Sequence, residues 1–187
     1  TQRGRGREHY QWNVDIWGTE SIEADVELLS VLVNFFDAVG LTPDDLVIKL
    51  SSRKVLEEVL GSLGISGENF APTCIVIDKM DKLSADVIAE QLTELGLSSE
   101  AISTIQSTLI ISNFDELRSA LGEESAAIAE LASLFAAAAD YGISDWIEFD
   151  ASIVRGLAYY TGMVFEVRDC AGELRAICGG GRYDKLL

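Results

Sequence analysis

Residues 163–184 read MVFEVRDCAGELRAICGGGRYD, and this stretch decides the fold class. Apolar and polar residues alternate with a period of two at residues 163–168 and again at residues 173–178, which predicts two strands. Residues 169–172 have the composition of a turn, so the two strands are expected to pair as an antiparallel hairpin. A glycine triplet at residues 179–181 follows directly and allows a close approach to the backbone.

Further strands are predicted near the N-terminus. Residues 11–16 (QWNVDI) alternate between polar and apolar side chains, which predicts a strand whose polar face carries Gln11 and Asp15. The apolar run at residues 46–50 predicts another strand. Between about residues 70 and 142 the apolar spacing is helical throughout, with capping residues and glycine stops.

The switches of period predict an α+β fold in which an antiparallel sheet has flanking helices and a helical insertion domain. Residues 1–69 are expected to form the first part of the main domain. Residues 70–145 form the helical insertion, and residues 146–187 form the second part of the main domain.

Composition and charge exclude several classes of protein. The 187 residues hold 14 Lys and Arg against 31 Asp and Glu, a net charge of −17, which argues against nucleic-acid binding through a broad basic surface. Residues 21–150 alone carry −18, so the arginines near both ends are the candidate anion ligands. A single His rules out a site built on several histidines. No apolar run reaches the length of a membrane span.

The N-terminal stretch offers one candidate site. Arg5 and Arg7 lie between glycines, and guanidinium groups on such a loop match phosphate oxygens. On a strand, Gln11 and Asp15 would share one face and could bind an ammonium group or an imidazole N–H. An exposed loop followed by a solvated strand face is the alternative interpretation.

Two C-terminal stretches offer the other two candidate sites. Arg155 lies in an apolar stretch and is followed by Tyr159 and Tyr160, which suits an anion beside a flat polar ligand. A core tyrosine pair with a structural ion pair is the alternative. Beyond them, Gly179 and Gly180 permit close approach of a ligand and Arg182 could bind an anion, although the triplet could also be only a turn.

Together the three stretches resemble histidyl-tRNA synthetase, a class II aminoacyl-tRNA synthetase. Residues 4–15 resemble the loop and strand of the second class-defining motif, residues 155–160 the histidine-specific signature, and residues 179–184 the glycine-rich strand and turn. The amino-acid sequence of these stretches is most similar to that of the organellar enzymes of plants and algae. That similarity implies a location in the plastid stroma, the mitochondrial matrix, or both. A family member without an organellar targeting segment would be cytoplasmic.

The resemblance implies an ATP-dependent histidine–tRNA ligase that makes histidyl-adenylate and passes histidine to tRNA(His). It implies Arg155 as the catalytic residue, beside the α-phosphate and histidine, and Arg5 and Arg7 as the loop over ATP and the acceptor end. The implied histidine contacts are Gln11, Asp15, Tyr159, Tyr160, Gly179 and Gly180. Mg²⁺ would accompany ATP, no tightly bound protein metal is expected, and the intact enzyme would be a homodimer without membrane association.

Some features depart from the family pattern. Ala158 stands where many members have Asp, and the first and third motifs and the anticodon-binding domain are absent, so the chain is expected to be an incomplete piece that is inactive alone. Two non-catalytic alternatives share the fold. One is the regulatory partner of ATP phosphoribosyltransferase, and the other is the pseudo-synthetase domain of a regulatory kinase.

Overall fold

The computed structural model describes residues 8–80, 83–154 and 159–185 and shows the α+β class that the sequence predicts. The helices in these ranges are α1 (Ile22–Ala38), α2 (Arg53–Ser62), α3 (Phe70–Ile77), α4 (Ala85–Glu94), α5 (Ser99–Leu109), α6 (Phe114–Leu121) and α7 (Ala126–Asp140). The strands are β1 (Leu46–Ser52), β2 (Ile147–Phe149), β3 (Met163–Asp169) and β4 (Cys178–Gly181). No helix in the described ranges is long and apolar enough to cross a membrane.

The sheet is mainly antiparallel and has the strand order β2-β1-β3-β4. β3 pairs antiparallel with β1 along its whole length and with β4 through Val167↔Cys178 to Val164↔Gly181. β1 and β2 are parallel, with Ile48 opposite Ile147. Parallel neighbours require a long crossover connection, and α2 to α7 supply it.

Local capping signals set where most of the helices begin. Asn113 is the clearest case, because its side-chain oxygen accepts hydrogen bonds from the backbone N–H groups of Asp115 and Glu116. Other N-cap side chains that accept a bond from the first turn are Ser21, Ser52, Ser98 and Ser125. The pairing of backbone donors at these ends explains why helix positions follow the sequence so closely.

The main hydrophobic core lies between the sheet and helices α1 and α7. Val26, Leu29, Val33 and Phe36 form the buried stripe of α1. The same cluster holds Ile48, Leu50, Phe165 and Val167 of the sheet, together with Ile128, Leu131 and Leu134 of α7. Full burial of a Leu or Ile side chain contributes roughly 1.5–3 kcal/mol, so this face supplies much of the stability.

Two smaller clusters lie among the helices in the middle of the chain. One joins Leu56 and Leu60 of α2 to Ile77 and Ile105, and the other joins Ile88 and Leu92 of α4 to Ile102. α3 to α5 therefore pack mostly on each other and on α2, while α7 packs with the sheet. The division at residues 70 and 145 stays a prediction, and the packing favours a narrower helical unit.

Residues 11–16 do not form the strand that their alternation predicts. Residues 9–17 have no regular secondary structure, and the side chains of Tyr10, Trp12 and Trp17 are exposed. A strand needs a neighbour whose backbone completes its hydrogen bonds, and an alternating pattern does not provide one.

The last strand lies later in the chain than predicted. Residues 173–177 form a loop, and the glycine triplet itself belongs to β4. Asp169 stabilises that loop, because its carboxylate accepts hydrogen bonds from the backbone N–H groups of Glu173 and Leu174 at 2.8 and 2.9 Å. The register with β3 places the glycines where side chains would collide, as described below.

Candidate functional site

A cavity of about 820 Å³ opens between residues 11–20, helix α1 and strand β4. Tyr159, Tyr160 and the residues after β4 complete its wall. The lining combines the apolar side chains of Leu28, Leu32, Met163 and Phe165 with polar groups from the N-terminal segment. A concave space of this size with a few convergent polar groups is typical of a small-molecule site.

The glycines of β4 form a wall that could not carry larger residues. A Cβ on Gly180 would lie 2.9 Å from Cε1 of Phe165. A Cβ on Gly181 would lie 2.7 Å from the backbone oxygen of Met163 and 3.0 Å from the ring of Tyr160. Gly180 and Gly181 are thus required by close packing within the sheet, and all three glycines line the cavity.

The two tyrosines that follow the undescribed residues 155–158 lie together beside the glycine wall. The ring centroids of Tyr159 and Tyr160 are 4.4 Å apart with an interplanar angle of 61°, an edge-to-face contact. The side chain of Tyr159 is 47% exposed, and that of Tyr160 is partly buried. Such a pair presents both an apolar face and a hydroxyl group to a ligand.

Asp15 and Tyr183 form the polar rim of the cavity. The Tyr183 hydroxyl donates a hydrogen bond to Oδ1 of Asp15, and the Tyr183 ring contacts the edge of Trp17 at a centroid distance of 6.3 Å. The hydrogen bond to Asp15, with smaller contributions from burial and the Asp15 charge, raises the pKa of Tyr183 to about 12. The hydroxyl therefore remains a donor at neutral pH.

Arg182 is committed to protein groups instead of facing a ligand anion. Its Nη2 and Nε donate to Oδ2 of Asp25 at 2.9 and 3.2 Å, Nη2 donates to the backbone oxygen of Ser21 at 2.6 Å, and Nη1 donates to Asp184 at 3.2 Å. Burial raises the pKa of the Asp25 carboxyl, and the hydrogen bond and charge of Arg182 oppose that rise. These contacts use four of the five guanidinium N–H groups, so the interpretation of Arg182 as an anion ligand stays a prediction that this geometry disfavours.

The structure brings most of the described candidates to this one cavity. Its lining includes Gln11, Asp15, Tyr159, Tyr160, Gly179 and Gly180. The candidates Arg5, Arg7 and Arg155 lie outside the described residues. In the described ranges no group of three or more His, Cys, Asp or Glu side chains could hold a metal ion.

Sequence reasoning missed the groups that hold the site together. Asp25 is buried although it is charged, and it lies one helical turn before Leu29 on the buried stripe of α1. An acidic residue on an apolar stripe is the signal that predicts a buried partner, here Arg182. Tyr183 directly follows that partner, so its contact with Asp15 depends on packing that no local pattern reveals.

Comparisons with known proteins find a matching family and several relatives. A family model described as histidyl-tRNA synthetase matches residues 1–187. The chloroplastic/mitochondrial histidine–tRNA ligase of Arabidopsis thaliana is 50% identical over 185 residues, which are 99% of this chain and 38% of that protein. The crystal structure of histidyl-tRNA synthetase from Nostoc is 28% identical with a TM-score of 0.77, covering 90% of this chain and 42% of that one.

A third relative shares the fold at lower identity. It is a Bacillus halodurans protein described as an ATP phosphoribosyltransferase regulatory subunit/histidyl-tRNA synthetase, 23% identical with a TM-score of 0.72, over 90% of this chain and 44% of that one. The chain thus spans about two fifths of the length of the proteins it matches.

Proposed function

The chain belongs to the histidyl-tRNA synthetase family, and on that premise we propose that it forms part of the catalytic domain of a histidine–tRNA ligase. The proposed ligands are L-histidine, ATP and tRNA(His), and the proposed assembly is a homodimer. The observation that carries the proposal is the convergence of Gln11, Asp15, Tyr159 and Tyr160 on one cavity beside the glycines of β4.

The chemistry of these groups suits histidine. The α-ammonium group and the imidazole N–H of histidine are donors, and Asp15 and the Gln11 carbonyl oxygen can accept from them. A Tyr160 hydroxyl can pair with the remaining imidazole nitrogen, and the rings of the tyrosine pair cover its flat faces. Gly179 and Gly180 line the cavity, and without side chains they allow a ligand to approach the strand backbone.

In the proposed first step, a histidine carboxylate oxygen attacks the α-phosphorus of ATP. A new phosphorus–oxygen bond forms, the bond to the β-phosphate bridge breaks, and pyrophosphate leaves with that electron pair. Negative charge on the phosphate oxygens is stabilised by fixed cations aimed at it, and Arg155 is the residue proposed for that role. Arg5 and Arg7 are proposed to cover the outer phosphates and later the acceptor end of the tRNA.

Mg²⁺ is proposed to enter with the phosphates of ATP. Mg²⁺ in nucleotide sites is usually held by substrate phosphates and one or two carboxylates rather than by a cage of protein ligands. In the described part of the cavity, the carboxylates of Asp25 and Asp184 are paired with Arg182. In the second step, a hydroxyl of the terminal tRNA ribose attacks the histidyl carbonyl carbon and AMP leaves.

Selectivity for histidine is proposed to arise in the cavity without an editing site. A pocket that binds both imidazole nitrogens leaves its own buried polar groups unpaired when an amino acid without them enters. We further propose the plastid stroma, the mitochondrial matrix, or both as the location, supported by the relative from Arabidopsis.

The proposal is tested by histidine-dependent exchange of pyrophosphate into ATP, with the natural full-length protein and its Gln11→Ala variant. Loss of one hydrogen bond to a bound polar ligand costs on the order of 1–3 kcal/mol, so the histidine KM should rise about 5- to 150-fold while the ATP KM changes less than about 2-fold. Gln91→Ala is the matched control, because Gln91 lies on α4 away from the cavity.

Absence of exchange in the wild-type protein would overturn the proposed function and favour a non-catalytic regulatory protein. An equal rise of both KM values in Gln11→Ala would leave the function standing but contradict the assignment of Gln11 to histidine.

A further inference from the structure

Arg182, the residue that follows β4, is held in place through both its backbone and its side chain. The backbone N–H of Arg182 donates to Met163 at 2.8 Å, and its backbone oxygen accepts from Thr161 at 2.8 Å. Its guanidinium group bonds Asp25 and the Ser21 carbonyl oxygen at the beginning of α1. One residue therefore joins the edge of the sheet, the segment after the tyrosine pair and the N-terminus of a helix.

The pairing is well shielded from water. The side chains of Arg182 and Asp25 are only 11% and 10% exposed. A charge pair in such surroundings resists screening by salt, and removing one partner leaves the other buried and uncompensated. Asp184 accepts one more hydrogen bond from the Arg182 guanidinium group, in addition to the two that Asp25 accepts. It also accepts a hydrogen bond from the Thr161 hydroxyl at 2.6 Å. The backbone direction at Tyr183 is thereby determined by its two neighbours.

Tyr183 connects this fixed end of the sheet to the N-terminal segment. Its hydroxyl donates to Asp15, which lies in residues 9–17 and so has no strand or helix to hold it. Trp17 packs against the same tyrosine ring. In the part of the chain that the structure describes, this tyrosine is the side chain seen to hydrogen-bond the Asp15 carboxylate.

We propose that Arg182 and Tyr183 are positioning residues for Asp15: Arg182 fixes the exit of β4, and Tyr183 holds the carboxylate over the cavity. One carboxylate oxygen of Asp15 accepts from Tyr183, and the other remains for an N–H of the ligand. Neither positioning residue touches the reacting atoms. The inference rests on the proposed function, because it assumes that the ligand facing Asp15 is histidine.

The decisive experiment is a double-mutant cycle on histidine KM, using Tyr183→Phe, Asp15→Ala and the double variant in the natural full-length protein. Tyr183→Phe removes only the hydroxyl, so histidine KM should rise about 3- to 10-fold while kcat and the ATP KM change less than about 2-fold. In the Asp15→Ala background, which has no side-chain acceptor for the tyrosine hydroxyl, the same change should alter histidine KM by less than about 2-fold. Tyr141→Phe, at the exposed C-terminus of α7, is the matched control and should change nothing.

Two results would overturn the inference while the wild-type protein still shows histidine-dependent exchange. One is an effect of Tyr183→Phe on histidine KM that is as large in the Asp15→Ala background as in the wild-type protein, since the tyrosine would then act independently. The other is an equal rise in the KM values of both substrates, as a general loosening of the fold would give. A wild-type protein without exchange would instead overturn the proposed function itself.

Arg182→Lys tests the first half of the inference. Lysine keeps the charge but loses the guanidinium fork that reaches Asp25 and Ser21 together. Histidine KM should rise about 3- to 10-fold, again with little change for ATP, and adding Tyr183→Phe should then have a reduced effect. An unchanged histidine KM in folded Arg182→Lys would contradict the role of Arg182. If that variant does not fold, the tyrosine cycle still decides the outcome.

Discussion

Gly181 shows how one absent side chain serves both the sheet and the cavity. Its backbone pairs with Val164 of β3, and the space where a Cβ would lie is taken by the Met163 carbonyl oxygen and the Tyr160 ring. A methyl group there would push directly against backbone, which cannot move as a flexible side chain can. The same residue therefore maintains strand pairing and the position of a proposed ligand contact.

Gly181→Ala should destabilise the protein and weaken histidine binding together. Overpacking of this kind costs typically about 1–3 kcal/mol, and displacement of Tyr160 should raise the histidine KM. Gly61→Ala is the matched control, because Gly61 is an exposed residue of α2 with nothing within 4 Å of an added Cβ. That change should leave stability equal or raise it by up to about 1 kcal/mol. Urea unfolding of both variants is the measurement, and equal stabilities would contradict the packing argument.

Among the elements, α7 has an unexpected place. Its spacing of apolar residues is continuous with that of the preceding helices, yet Leu131 and Leu134 are fully buried against the sheet and α1. α4, by contrast, buries Ile88 and Leu92 in a cluster with α3 and α5. We therefore propose that the separable helical unit comprises α3 to α5, and that α7 belongs to the main domain.

The variants Ile88→Ala and Leu131→Ala should show whether the two hydrophobic cores unfold independently. Both side chains are at most 1% exposed, and each truncation should cost about 2–5 kcal/mol locally. Amide hydrogen exchange should accelerate in α3 to α5 alone for Ile88→Ala, but in the sheet, α1 and α7 for Leu131→Ala. Acceleration throughout the chain in both variants would show a single cooperative unit and contradict the proposed division.

For the whole molecule, charge is the dominant long-range force. A net charge of −17 on 187 residues repels itself, and the acidic groups are concentrated between residues 21 and 150. Salt shortens the range of that repulsion from about 30 Å at 0.01 M to about 8 Å at 0.15 M. Short ion pairs such as Arg182–Asp25 are shielded by burial and lose much less.

Raising sodium chloride from about 0.01 M to about 0.15 M should therefore stabilise the 187-residue chain at neutral pH. A gain near 1 kcal/mol corresponds to a rise of about 2–4 °C in Tm for a chain of this size. Differential scanning calorimetry checks this, and the same series near the sequence pI of about 4.2 is the control in which the dependence should disappear. A Tm that falls with salt at neutral pH would show that attractive pairs outweigh the repulsion.

The parts of the fold that depend on neighbours in sequence were predictable. The buried stripe of α1 and the cap at Asn113 follow from spacing and residue type within one or two turns. The prediction of a strand at residues 11–16 was wrong, because the pairing of a strand depends on a partner that is distant in sequence. The shift of β4 was missed because the glycines, which look like a turn, are required by Phe165 and Met163 across the strand.

The candidate site shows the same limit. Gln11, Asp15 and the tyrosine pair were proposed from motifs and lie at one cavity, where their roles remain predictions. The contacts that organise them, Arg182 with Asp25 and Tyr183 with Asp15, join residues more than 150 positions apart. No local pattern carries information over that separation except the charge of Asp25 on an apolar helix face.

The crossover between β1 and β2 has a consequence for biosynthesis. Lys49 and Glu148, neighbours across that parallel pair, are 99 residues apart in sequence. At a translation rate of roughly 5–20 residues per second, β1 leaves the ribosome about 5–20 s before β2. The interval between β1 and β3 is longer still. During that interval LVIKLSS is an apolar segment without a neighbour, the kind that adheres to other nascent chains. Lys49 places a positive charge in the middle of this segment, where a charge disfavours such adhesion, and Glu148 pairs with it once β2 has joined the sheet.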